Sequence, residues 1–265
     1  METKVAIVSD KPQTTRKRIL GIKTTARGQI VFFDSPGVHK PHFQLNQSMM
    51  KEVHDSMADA DLILYFVPLQ DERTDPFMLE LLQQAGKPVF LIINKIDLFN
   101  KGKILDKISF FKDIFPWKEI VPVSALTGLN LDRLEDLLYL YLPEGEAIFP
   151  SEEWTKQSEK FYISELIREK LLRLIRDELP YITAVQIEQI EDKDRLVVVQ
   201  ANIVVESNSQ KKILIGKKGT MIREIGQTAR QELEDYFSKQ VFIELYVKVM
   251  PNWRNSPYVI KDIFG

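Results

Sequence analysis

Asn94, Lys95 and Asp97 are the residues whose types and spacing point most directly to chemistry, because they close the apolar run V-F-L-I-I-N-K-I-D. An aspartate carboxylate accepts two N–H bonds at once from the Watson–Crick edge of guanine; adenine offers no such donor pair and leaves a buried charge unpaired. Asn94 suits the other edge of the base, and the stem of Lys95 can lie along the ring. The same letters also suit a helix start, with Asn or Asp capping and Lys solvated. Ser124-Ala125-Leu126 offers two further groups: a backbone N–H at Ala125 for the base's carbonyl oxygen and a hydroxyl at Ser124 to steady Asp97. Asp34-Ser35-Pro36-Gly37 brings an aspartate able to hold magnesium through water and a glycine whose bare backbone can approach a γ-phosphate. By itself that string is equally a plain turn.

The elements that must position these groups alternate. Five apolar residues after Gly86-Lys87-Pro88 are what a strand buried on both faces of a parallel sheet looks like, and open α/β sheets bind ligands at the carboxyl ends of such strands. A short strand is expected over 4–8, then a polar loop, then strands over 18–25 and 29–33 joined as a hairpin. Helices over 44–57, 75–85, 103–114 and 131–142 alternate with strands over 62–69, 89–93 and 119–123. That order predicts a doubly wound parallel sheet. D-x-x-G, N-K-x-D and S-A-L each fall at a strand end, in order, which is far more specific than any one of them.

Past Pro143 the texture changes. Residues 144–160 are polar and read as a linker. A helix over 161–179 follows, with Ile163, Leu166, Ile167, Leu171, Leu174 and Ile175 near one face. Strands over 183–190 and 196–206, a short helix over 210–215, the loop Gly216-Lys217-Lys218-Gly219, a helix over 221–237 and a strand over 241–250 complete the half. The order α-β-β-α-α-β with G-x-x-G between paired helices matches the KH fold in its second topology. Such a glycine pair lets the main chain approach an RNA backbone, while Lys217 and Lys218, extended by Lys211, Lys212 and Arg223, supply charge to phosphates. Isolated, the same letters are a helix–helix turn. Trp253 reads as packing rather than base stacking.

Composition narrows the classes. A chain of 265 residues with 44% hydrophobic content is long enough for two cores. It has no cysteine, which excludes disulfides and cysteine metal sites and is compatible with a reducing cytosol. No apolar run is long enough to cross a bilayer. The net charge of −2 means that any nucleic-acid partner is held by a local patch.

Q-T-T-R at 13–16, D-S-P-G at 34–37, N-K-I-D at 94–97, S-A-L at 124–126 and G-K-K-G at 216–219 together resemble the Era family, GTPases with a C-terminal KH domain. The likeness runs over nearly the whole chain, including V-K-V-M-P-N-W-R before the tail. It implies a G domain over 1–143, a linker over 144–160, a type II KH domain over 161–250 and a tail over 251–265. It also implies slow GTP hydrolysis with magnesium, docking on the 3′ end of small-subunit ribosomal RNA, and help in assembling the small ribosomal subunit. The implied protein is a cytoplasmic monomer with peripheral contact at the inner face of the cell membrane. By this mapping Asp34, Gly37, Asn94, Lys95, Asp97, Ser124 and Ala125 serve GTP, and Thr14 or Thr15 joins Asp34 at magnesium. Unaided, either threonine is a polar loop residue. Val38 stands where Ras-like enzymes place a water-orienting glutamine, so no side chain is assigned as a catalytic base.

One part is missing from the sequence. GTPases cradle phosphates in G-x-x-x-x-G-K-[ST], but the Gly-Lys pairs at Gly86, Gly102 and Gly216 are followed by Pro88, Ile104 and Lys218, without the hydroxyl. The resemblance places a strand, that loop and a helix, about thirty residues, ahead of 4–8. The strand would lie centrally in the sheet, between the one ending at Asp34 and the one over 62–69. Without them, weak GTP binding and negligible hydrolysis are expected. A second function competes: a nucleotide-independent KH RNA-binding protein with a remnant sheet. The retained N-K-I-D, S-A-L and D-S-P-G favour the first.

Overall fold

The computed structural model describes residues 4–70 and 74–264. Its described residues form two compact units. One takes in the chain up to Lys23, Ile30–Val53 and everything from Ser151 on; the other takes in Thr24–Gln29 and His54–Pro150.

Early in the chain β1 (Ile19–Thr25) and β2 (Gly28–Asp34) form a two-stranded sheet of their own, and α1 (Gln44–Asp59) follows. The second unit is built on β3 (Ile63–Pro68), β4 (Val89–Asn94) and β5 (Glu119–Pro122), in that order and all parallel. Helices α2 (Pro76–Ala85), α3 (Lys101–Phe111) and α4 (Leu131–Tyr141) connect and follow these strands. The strand expected to be buried on both faces is β4, whose residues from Val89 to Ile93 are at most 1% exposed. Its neighbours bracket it in register, with Pro68 beside Asn94 and Pro122 beside Ile93, so the carboxyl ends lie level. Helix starts and stops follow local chemistry: Asp75 accepts from the Phe77 amide and Asn100 from the Lys103 amide, while Gly86 ends α2 with φ +63°.

In the first unit α5 (Glu159–Leu174), β6 (Ala184–Lys193), β7 (Leu196–Val205), α6 (Asn208–Ile215), α7 (Thr220–Phe237) and β8 (Gln240–Val249) give the expected KH order. The sheet runs β6-β7-β8, antiparallel then parallel, and its apolar face packs with α5 and α7 around Leu166, Val199, Ala201, Ile225 and Leu233. Ser207 and Gln210 form a reciprocal capping box that starts α6.

Two local expectations are corrected. Residues 4–8 are not a strand: the Val8 amide bonds the Glu169 carboxylate at 2.9 Å and the Val5 carbonyl accepts from Gln157 at 3.0 Å, so side chains take backbone groups a ladder would need, while the Lys4 ammonium reaches Glu169 and Glu232. The long helix stops at Leu174 rather than Leu179. Asp177 turns left-handed at φ +57°, and Pro180 disfavours helix in the residue before it. Beyond β8 the chain forms a 3-10 turn, Trp253–Asn255, and a helix α8 (Pro257–Phe264). Trp253 packs, as expected: it is 1% exposed and its indole donates to the Ile182 carbonyl at 3.0 Å. No described helix is long and apolar enough to cross a membrane.

Helix α5 was expected to bury one face, yet every residue from Tyr162 to Leu172 is buried, Glu165, Arg168, Glu169 and Lys170 included. Its second face lies under the early segment, where Arg168 bonds the Thr14 carbonyl. The charges are tolerated because they are paired: Arg168 grips Glu165, and Lys170 binds Glu169 and Glu232.

Candidate base pocket and nucleic-acid interface

At the end of β4 the chain turns sharply. Lys95 sits at φ +66°, a conformation that costs a β-carbon-bearing residue energy and recurs at functional sites. The following 3-10 turn, Ile96–Leu98, carries Asp97. From the end of β5, Ser124 enters fully buried, and its hydroxyl donates to Asp97 Oδ1 at 2.6 Å while accepting the Thr127 amide at 3.2 Å. Asn94 Oδ1 accepts two backbone amides, Lys95 at 2.7 Å and Ala125 at 3.0 Å. Asn94, Asp97, Ser124 and Ala125 thus make up two bonded pairs that span two strand ends. Asp97 is exposed, and its second oxygen takes no bond among the described residues. That leaves an acceptor for the two N–H groups of a guanine edge. The Ala125 amide, expected to be free for a base carbonyl, is instead held by Asn94, so a base would share or displace that bond. Leu126, 89% exposed, flanks the cluster; sequence reasoning gave it no role, and an apolar residue after Ser-Ala was the available signal.

The groups expected at magnesium lie in the other unit. Thr15 Oγ1 donates to Asp34 Oδ2 at 3.0 Å, whereas the Thr14 hydroxyl turns back to the Lys11 carbonyl at 2.7 Å. Desolvation pushes the Asp34 carboxyl above its usual range, the Thr15 bond opposes this, and Glu165 adds to the rise. Gly37 has open space where a β-carbon would stand, and its carbonyl is bonded by His39 Nδ1 at 2.8 Å, whose Nε2 meets Asn46 Nδ2 at 2.8 Å. Magnesium characteristically takes one or two carboxylates plus substrate phosphates, not an all-protein cage. Thr15 with Asp34 fits as such a partial set, and Thr14 as placed does not.

The G-x-x-G loop joins α6 to α7 as a 3-10 turn, Lys217–Gly219. Gly216 has φ +71° and ψ 178°, a region open essentially to glycine alone, and a β-carbon there would lie 2.9 Å from both Cβ and N of Met221. Gly219, at φ +76°, has nothing within 4 Å of the corresponding position. One glycine is therefore required by the fold, and the other leaves room for a ligand. Lys212, Lys217, Lys218 and Arg223 are exposed and Lys211 half-buried, and none of their side chains makes an ion pair or hydrogen bond among the described residues. Beside this loop lies a cleft of about 480 Å³ lined by Leu179, Ile182, Gln210, Ile213 and Met221 among others. Ile213 is 59% exposed at its edge. Sequence reasoning found the charges but not this apolar lining, whose members come from separate elements.

Both halves have known counterparts. The KH domain family profile matches residues 178–254, and that of the family described as 50S ribosome-binding GTPase matches 1–95. Two GTPases named Era are similar over almost the whole chain. That of Heliobacterium modesticaldum is 43% identical, covering 99% of this chain and 88% of its own length; that of Geobacter metallireducens is 42% identical, covering 98% and 89%. The chain belongs to the Era family of GTPases. Its structure follows the family as well. A crystal structure of a point variant of Aquifex aeolicus Era bound to GDP.AlF4- superposes with a TM-score of 0.94 at 39% identity, covering 99% of this chain and 91% of that one. A structure of Era in complex with MgGDPNP and nucleotides 1506–1542 of 16S ribosomal RNA gives 0.95 at 38%, covering 99% and 90%. The fold is accordingly a P-loop-GTPase-like α/β sheet followed by a KH domain.

Proposed function

We propose that this chain binds a guanine nucleotide through its β4 and β5 ends and the 3′ end of small-subunit ribosomal RNA through its KH domain, in the service of small-subunit assembly. The observation that carries the first half is the pair of bonds Asn94–Ala125 and Ser124–Asp97, which leaves one carboxylate oxygen of Asp97 open. The unpaired lysines around Gly219 carry the second. A relative of 38% identity has been seen with both MgGDPNP and a 16S segment, which supports the pairing of the two ligands.

Asp97 would accept from the base edge, Lys95 cover the ring, Ala125 meet the carbonyl, and Gly37 donate its amide to the outer phosphate. Asp34 and Thr15 would hold magnesium, which when bound neutralises charge on the phosphates. Residues 211–223 would clamp RNA, with Lys211, Lys212, Lys217, Lys218 and Arg223 on phosphates and Gly216 and Gly219 shaping the turn. We assign 1–143 to the G domain, 144–160 to a linker, 161–250 to the KH domain and 251–265 to the tail. A monomer working in the cytoplasm, touching the membrane only peripherally, completes the reading.

Because residues 1–265 contain no G-x-x-x-x-G-K-[ST], a polypeptide limited to them is expected to hold GTP far more weakly than a relative carrying that loop, and to hydrolyse it negligibly. Calorimetric titration with MgGDPNP, alongside a GTP turnover assay, tests this; micromolar affinity with sustained turnover overturns it. In the alternative reading, this polypeptide binds RNA independently of nucleotide. RNA affinity unchanged by saturating MgGDPNP would support that alternative.

A further inference from the structure

The cleft beside the G-x-x-G loop does not end at Ile182. Glu178 and Ile182 line it and also line a second cleft of about 580 Å³, formed within the same unit by the loop after Gly37, the start of α1, and Arg254. This volume is ample for a nucleotide. Phe43 and Tyr181, both half-buried, contribute aromatic surface, and the Arg254 guanidinium lies 4.1 Å from the Phe43 ring centre. Most of the basic side chains there are already committed. Arg16 is buried and bonded to the carbonyls of Pro180, Tyr181 and Thr183, Arg254 is forked onto Glu206, and His39 is held by Gly37 and Asn46. Lys40 and His42 are not: both are exposed and neither makes a hydrogen bond or ion pair among the described residues. Glu178, on the shared rim, is the single carboxylate in the described lining of the second cleft, and Asp177 beside it lines the first.

We propose that this second cleft continues the RNA path: a single strand held by the G-x-x-G loop passes the Glu178–Ile182 rim and seats a further nucleotide against Phe43 and Tyr181, its phosphate on Lys40 and His42. This rests on the RNA reading given above. The reasons for a single strand are the continuity of the two clefts, the aromatic faces, which suit unpaired bases, and the uncommitted Lys40 ammonium and His42 ring beside them. The acidic rim sets the course of the backbone, which must run on the Lys40 side to avoid Glu178.

The test uses the full chain and two single-stranded RNAs from the 3′ end of the small-subunit ribosomal RNA, read by fluorescence anisotropy across salt concentrations. One is about four nucleotides long, the span a KH clamp holds; the other extends it on both sides to about ten. Lys40→Ala with His42→Ala is expected to weaken the longer RNA about tenfold and flatten its salt dependence by roughly 0.7 in log–log slope, while leaving the shorter unchanged. Unchanged binding of the longer RNA, alongside loss of both RNAs in Lys217→Ala with Lys218→Ala, overturns the extension and leaves the clamp standing. If the latter variant binds both RNAs normally, the clamp reading fails and the extension with it.

Discussion

Replacing Gly216 and Gly219 by alanine, one at a time, separates what the fold needs from what RNA needs. At Gly216 the backbone (φ +71°, ψ 178°) is closed to alanine, and the new methyl would meet Met221 Cβ and N at 2.9 Å. Backbone strain of about 1–3 kcal/mol adds to a contact that only a backbone shift relieves, so a loss of about 3 kcal/mol in folding free energy is expected. At Gly219 (φ +76°, ψ 19°) the left-handed conformation costs alanine about 1 kcal/mol, and the space around it is open. Urea denaturation followed by circular dichroism measures the two losses. Anisotropy with the small-subunit 3′ RNA measures binding where both variants remain folded. Gly219→Ala is expected to stay folded and to lose RNA affinity by about tenfold or more, since a methyl would stand where a phosphate approaches. A Gly216→Ala protein as stable as the parent would refute the strain argument. A folded Gly219→Ala protein with undiminished RNA affinity would refute close approach at that glycine.

Ser124→Ala removes the 2.6 Å bond to Asp97 and the partner of the Thr127 amide. A charge-assisted bond to an exposed carboxylate is worth about 1.5 kcal/mol, so GMP affinity followed by chemical-shift perturbation should fall about tenfold; no change would count against the pocket. Glu169 is fully buried, and although burial alone would raise its pKa, bonds from Lys170, Lys4 and the Val8 amide outweigh this and hold it at about 2. A lowered carboxylate contributes stability above its unfolded value of 4.5 and loses it as pH falls towards 2, on the order of 3 kcal/mol here. Glu169→Gln should therefore flatten the acid limb of the stability curve, and an unaltered limb would refute the assignment. His39→Ala cuts the link between Gly37 and Asn46, so amide exchange around Gly37 should quicken about fivefold, a loss of about 1 kcal/mol, without a change in overall melting; exchange at the parent's rate would show that the histidine holds nothing there.

The candidate cluster at the ends of β4 and β5 was legible because its polar residue types interrupt apolar runs at strand ends, and the structure bonds Ser124 to Asp97 as the sequence reading asks. Helix α5 shows why other features were not. Its string E-L-I-R-E-K has the charge pattern of a solvated helix face, with Glu165 and Arg168 three apart as an ordinary surface pair. What buries that face is chain from the other end of the sequence, with Lys4 and Glu169 separated by 165 positions. Nothing local distinguishes a carboxylate paired by water and a neighbour from one paired by a distant lysine, since both satisfy the same rule. The strand expected over 4–8 failed for the same reason: its apolar run from Val5 to Val8 is real, but Ile7 is buried in the KH core rather than in a sheet. Periodicity reports that a segment has a face to bury and is silent on what covers it. The covered face carries four charged residues, Glu165, Arg168, Glu169 and Lys170. A buried charge must be matched by another group, so each acidic residue in that string calls for a cation, and the first few residues of the chain supply one in Lys4.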